Sequence, residues 1–150
     1  MSDAPAGAAA QNWEHFAHGA DIGVRGRGPT REAAFAQCAR ALTAVLTDPA
    51  GVREAGRIEL QAQGPDDELL LVEFLNALVF ELSAHRWLAA RCEVSIEGAP
   101  GGRLRATAFG EPVDVGRHQP AVEVKGATLT SLSVGRDAAG AWHAQCVVDV

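Results

Sequence analysis

LLLVEFLNALVFELSAH, residues 69–85, is the most apolar stretch of the chain, and its reading decides the fold. Leu70, Phe74, Leu78 and Leu82 recur at helical spacing, with Leu71, Leu75 and Val79 beside them. So wide an apolar face predicts the central core helix. Asp66, Asp67 and Glu68 precede it and oppose the positive end of its dipole. Upstream, Ile58, Leu60 and Ala62 alternate with Glu59, Gln61 and Gln63, the pattern of a half-buried strand. A second helix is predicted over 31–47, where Phe35, Cys38, Leu42, Val45 and Leu46 form one stripe. Thr30 is placed as its N-cap after the Gly28-Pro29 turn, and Asp48-Pro49 stops it. Short strands are expected at 13–16 and 22–27. Downstream, Cys92, Val94 and Ile96 alternate, then Leu104, Ala106 and Ala108, across a Gly/Pro turn at 98–102. Residues 110–120 read as a polar loop, 122–134 as a long strand, and 142–150 as a last strand returning through a hairpin at 137–141. Two helices on a mostly antiparallel sheet of six or more strands make a two-layer α+β domain.

The composition narrows the classes of function. A chain of 150 residues supports one domain with a real core, and 47% hydrophobic with 21% charged residues is ordinary for a globular protein. A formal charge of -6 argues against a general nucleic-acid binder, so strong direct RNA binding is not expected. Cys38, Cys92 and Cys146 are isolated among apolar neighbours and read as reduced, buried thiols. Residues 1–11 are small and polar and are expected to be a disordered tail, leaving residues 12–150 as the domain. The tail lacks the marks of a secretory signal, and no apolar run reaches the roughly 20 residues that span a bilayer. A cytoplasmic protein without membrane attachment is therefore expected.

The chemistry concentrates at the end of the chain. Trp142, Ala144, Cys146 and Val148 share one face of the last strand, so Asp149 points the other way, with His143 and Gln145. Val150 follows, and its α-carboxylate lies one residue from the Asp149 side chain. If the loop holding Asp21 packs against this strand end, three carboxylates converge. Such a set calls for a cation, and hard oxygen ligands suit Ca²⁺, with Mg²⁺ the alternative. His18 and His118 read first as structural histidines and second as functional candidates. Glu111 and Asp114 lie in the polar loop and read as surface charges, Glu111 being kept as a candidate. Lys125 is the single lysine beside twelve arginines, which suits a site needing a compact ammonium. GVRGRG is a strand with glycines and lacks the GxxxxGK phosphate loop; Ser131 and Ser133 carry no local nucleophile signature.

Four segments, in order, resemble the archease family. They are HFAHGADIGVRGRG with LTDP closing the next helix, DDELLLVEFLNALVFELSA, AFGEPVDVGRHQPAVEVKGATL, and the terminal WHAQCVVDV. The resemblance runs from Trp13 to Val150. It implies an archease-like fold related to strand-helix-strand-strand modules. It also implies an accessory protein, not an enzyme, that promotes guanylylation and multiple turnover of an RtcB-type RNA ligase in tRNA splicing or RNA repair. A divalent metal is implied at the residues that match Asp21, Asp149 and Val150, and Lys125 falls in the family's Val-Lys block. This chain departs from the family pattern at Ala17, where an Asp is usual, at Gly19 for Thr, at Gly126 for Ala, and at Leu129-Thr130. Ala17 removes one carboxylate from the acidic site. Two other classes stay open: a metal-dependent hydrolase using Asp21, Asp149 and a histidine, and a small-ligand or protein-binding module.

Overall fold

Both helices form where the apolar stripes put them. In the computed structural model, which describes residues 10–150, α1 spans Arg31–Leu46 and α2 spans Asp67–His85. Thr30 caps α1, its side chain accepting the Ala33 N–H, and Asp66 caps α2 through the Leu69 N–H. Each cap satisfies a donor that the helix itself leaves unpaired. The tail expected over residues 1–11 falls mainly on residues 1–9, outside the described residues.

The described residues also form eight strands: β1 (Asn12–His18), β2 (Asp21–Gly28), β3 (Gly56–Gly64), β4 (Trp87–Glu97), β5 (Gly102–Pro112), β6 (Gly126–Ala127), β7 (Ser133–Arg136) and β8 (Trp142–Asp149). They form two sheets, where the sequence suggested one. One runs β1-β2-β8-β6, with β7 also on β8; the other runs β3-β5-β4. Every ladder is antiparallel. Helix α1 packs on β1, β2 and β8 of the first sheet and on β4 of the second; α2 packs on strands of both as well. One main core results, with Phe35, Leu70, Leu71, Phe74 and Leu75 fully buried, and Val52, Leu88 and Ala90 form a small second cluster. The rings of Phe35 and Phe74 stack at 6.3 Å and join the two helices. Cys38, Cys92 and Cys146 are buried free thiols, as their apolar neighbours suggested. Burial pushes Cys92 and Cys146 up to about 12, which keeps them protonated and unreactive.

Two segments differ from the sequence reading. Residues 122–134 do not form one long strand: only Gly126–Ala127 and the start of β7 pair with β8. Between them Ser131 takes a positive φ of 51°, and the Thr128 hydroxyl and the Thr130 carbonyl bond the main chain of Val147 instead. Local side-chain bonding of this kind competes with a regular ladder. The expected polar loop at 110–120 is also more ordered. Strand β5 continues to Pro112, and a one-turn helix, α3 (Val115–His118), follows with Asp114 as its cap. Among the described residues, no helix is long and apolar enough to cross a membrane.

Candidate functional site

The β1–β2 hairpin and the end of β8 meet at one edge of the five-stranded sheet. Asp21 pairs with His18 across a two-residue loop, Gly19-Ala20. Gly19 has φ of 60°, the positive value that the first position of a tight II′ hairpin loop requires. This chain's glycine therefore suits the turn that brings Asp21 into β2. The register of β2 on β8 ends with Ile22 opposite Val148, which puts Asp21 and Asp149 one rung further on. Val24 and its partner Cys146 both face the core, so the odd-numbered residues of these two strands face outward. Asp21 and Asp149 thus project from the same outward face at adjoining strand ends.

The other side of Asp149 is held by β6. Gly126 pairs with Asp149, and the Lys125 N–H donates to the Asp149 carbonyl at 2.9 Å. Asn76 reaches from the middle of α2 to accept the Ala127 N–H at 2.9 Å, anchoring the short strand to the helix. Val150 packs part of its side chain on the core. The fold therefore gathers Asp21, Asp149, Val150 and the backbone of Lys125 at one sheet edge, with His18 beside Asp21. His18, Lys125 and Asp149 are exposed, and Asp21 is half-buried. Among the described residues, no three His, Cys, Asp or Glu side chains gather closely enough to hold a metal ion. Any cation at this edge would depend on the two aspartates plus main-chain oxygen and water.

His118 and Glu111 belong to a different assembly. Glu111 is buried rather than a surface charge, the correction to its sequence reading. Its carboxylate bonds the Arg117 guanidinium at 2.5 Å, the Arg53 N–H at 2.7 Å and His118 Nε2 at 2.9 Å. The Arg117 hydrogen bond, then the Arg53 N–H, pull the Glu111 carboxyl down to about 2. The Asp114 N–H donates to His118 Nδ1 at 2.8 Å, so Nδ1 is an acceptor and Nε2 carries the proton given to Glu111. Both ring nitrogens of His118 are thereby used. Its carbonyl also accepts the Thr47 hydroxyl at 2.7 Å, tying α3 to the end of α1. Both residues hold the 111–121 segment, a structural task.

Sequence reasoning passed over the outward face of β2. Arg25 and Arg27 alternate there, and Gln145 and His143 stand opposite them on β8. The signal is visible in RGR: arginines two apart on a strand share a face. Ser133 Oγ lies 2.8 Å from His143 Nε2. Among the described residues no carboxylate hydrogen-bonds that imidazole, so the pair lacks the third group that orients a catalytic base.

The chain matches the model of the Archease protein family (MTH1598/TM1083) over residues 13–150. It is 36% identical over 141 residues to Protein archease of Pyrococcus furiosus, covering 93% of this chain and 99% of that one. It is 30% identical over 126 residues to Protein archease-like of Drosophila melanogaster, covering 83% and 81% of the two chains. The solution structure of Methanobacterium thermoautotrophicum protein 1598 superimposes with a TM-score of 0.75 at 25% identity, covering 93% of this chain and 99% of that chain.

Proposed function

The chain belongs to the archease family, and from that premise we propose that it is an accessory activator of an RtcB-type RNA ligase, with a divalent cation at the edge formed by Asp21 and Asp149. The observation that carries the reading is the continuity of the family match through the acidic edge: residues 13–150 are matched, and the β2–β8 register sets the two aspartates side by side. Carboxylate oxygens are hard donors and fit Ca²⁺, or Mg²⁺, in kind. Asp21 and Asp149 would supply two ligands and Val150 a main-chain oxygen. Calcium takes six to eight oxygens, so water or the partner's groups complete the shell. The bound cation would supply positive charge at the contact with the ligase. Lys125, bonded through its backbone to Asp149, would set its ammonium beside the same contact.

The role is non-catalytic. A hydrolase reading would need a nucleophile, a base and an orienting group in one place, and the Ser133–His143 pair offers two of these. The direct experiment mixes the chain with its cognate ligase, GTP and metal, and follows formation of the ligase–GMP adduct. The adduct should accumulate faster with the chain present, and the chain alone should join no RNA ends. Equal rates with and without it would contradict the proposal. Phosphoester turnover by the chain alone, lost in Asp21→Ala, would instead favour the hydrolase.

The metal ligands make a separate prediction. Asp21→Ala and Asp149→Ala should each weaken calcium binding by at least about tenfold, roughly 1.4 kcal/mol per lost ligand. Thermal unfolding should change little, because Asp149 is exposed and its carbonyl still accepts the Lys125 N–H. Calorimetric calcium titration beside circular dichroism checks both halves. Unchanged affinity in the two variants would remove the aspartates from any metal site.

A further inference from the structure

The outward face of β2 and β8 carries a second polar site, further along the strands than Asp21 and Asp149. Arg25 lies opposite Gln145, and Arg27 opposite His143. With Asp137, Ala141 and Trp142 they line an open groove of about 340 Å³. Arg25 Nε donates to Gln145 Oε1 at 2.7 Å, and its Nη1 donates to Glu14 Oε1 at 2.8 Å. Arg27 Nη1 donates to that same Glu14 oxygen. One carboxylate oxygen therefore receives two guanidiniums. The Arg25 guanidinium lies 4.6 Å over the Phe16 ring, a cation–π contact. Ser133 fixes the His143 ring from the adjacent strand.

Two carboxylates also act on the groove, Asp137 and Glu68. Asp137 Oδ1 accepts the N–H groups of Ala139 and Ala141, which holds it in its own turn, and Glu68 accepts the Val134 N–H. Burial, then the Arg25 and Arg27 charges, hold His143 below its ordinary value, so the imidazole is neutral near pH 7. The Arg25 hydrogen bond holds Glu14 low and therefore ionised.

We propose that this groove binds a phosphate group between Arg25 and Arg27, and that Glu14, bonded to both guanidiniums from the edge strand, competes for them as a displaceable internal anion. A guanidinium carries five N–H donors. Among the described residues, Arg27 hydrogen-bonds Glu14 alone, and Arg25 uses two donors. A single carboxylate oxygen leaves most of that capacity unmet, whereas a phosphate offers several oxygens to two planar forks at once. Glu14 lies on the edge strand β1 with a side chain 40% exposed, so it has room to swing out. The phosphate is that of a small anion or of an RNA backbone. The proposal does not depend on the ligase as partner.

The test titrates inorganic pyrophosphate, and separately a short single-stranded RNA, into the full chain at low salt. Backbone and arginine side-chain NMR signals report the site in wild type, Glu14→Gln and Arg27→Gln. Pyrophosphate should shift the signals of Arg25, Arg27, His143 and Gln145, and added salt should reverse the shifts. Glu14→Gln should bind at least about tenfold more tightly, and Arg27→Gln at least about tenfold more weakly. RNA moving the same signals assigns the phosphate to a polynucleotide; pyrophosphate alone moving them assigns it to a small anion. Absence of these shifts in both wild type and Glu14→Gln overturns the proposal, as does an affinity that either substitution leaves unchanged. Arg27 is exposed on the sheet face, so its variant keeps the fold, which circular dichroism verifies.

Discussion

Glu111→Gln should lower the unfolding free energy by about 2–4 kcal/mol at pH 7, the range for losing the charge of a buried, multiply bonded carboxylate. The substitution keeps the shape of the side chain. It removes the charge that Arg117, the Arg53 N–H and His118 all address. The sign of the pH dependence follows from the depressed carboxyl. Its folded value of about 2 lies below its ordinary 4.5, so the folded state binds that proton less readily than the unfolded chain. The stabilisation is complete above about pH 4.5 and is lost as pH falls toward 2. Urea unfolding of both proteins should therefore show a gap that is constant from neutral pH to about 5 and narrows below it. A gap that stays the same down to pH 2.5 would show that the carboxylate's charge contributes nothing. His118→Ala should loosen the same segment, because the Asp114 N–H and the Glu111 carboxylate each lose a partner.

Gly26→Ala should be the most damaging single methyl group that can be added to the chain's sheet–helix contact. A Cβ at Gly26 would lie 2.2 Å from the Ala34 carbonyl oxygen and 2.2 Å from the Cys38 nitrogen. Both are backbone atoms inside α1, so no side-chain rotation relieves the contact. Helix α1 must shift off β2, and Val24, Phe35, Cys38 and Cys146 lose packing with it. Overpacking of this kind costs about 1–3 kcal/mol when side chains can adjust, and backbone against backbone puts it at or above the upper end. Chemical denaturation of the two proteins measures it. Gly140→Ala is a useful contrast: nothing lies within 4 Å of a Cβ there, and any cost comes from its φ of 90° alone. A Gly26→Ala protein as stable as wild type would mean that α1 does not lie on β2 as described.

Periodicity made the helices legible. Apolar residues at helical spacing located α1 and α2, and Thr30 and the acidic run at 66–68 located their starts. The division into two sheets was not legible, because alternation along a strand says which face is buried and not which strand lies beside it. Strand β8 comes last in the chain yet sits inside the first sheet, between β2 and β6. The 122–134 segment misled for a related reason. Its β-branched and apolar residues suit a strand, but Leu129 is 65% exposed and the local hydroxyls take over the hydrogen bonding. Glu111 misled because a carboxylate in a Gly/Pro-rich stretch is usually solvated; its burial depends on Arg117, six residues on, and on the backbone of Arg53. The outward direction of Asp149 was legible from alternation alone. Its position beside Asp21 needed the β2–β8 register, and the joint use of Glu14 by Arg25 and Arg27 needed three strands laid side by side.

The proposed role requires that a ligase turn over repeatedly only when this chain is present. The measurement that reaches it most directly is RNA joining by the cognate RtcB-type ligase with substrate in large excess, with and without the chain. Ligase alone should stop near one joined product per molecule and the chain should restore sustained turnover, with Asp149→Ala failing to do so while remaining folded. Equal turnover with and without the chain would contradict it.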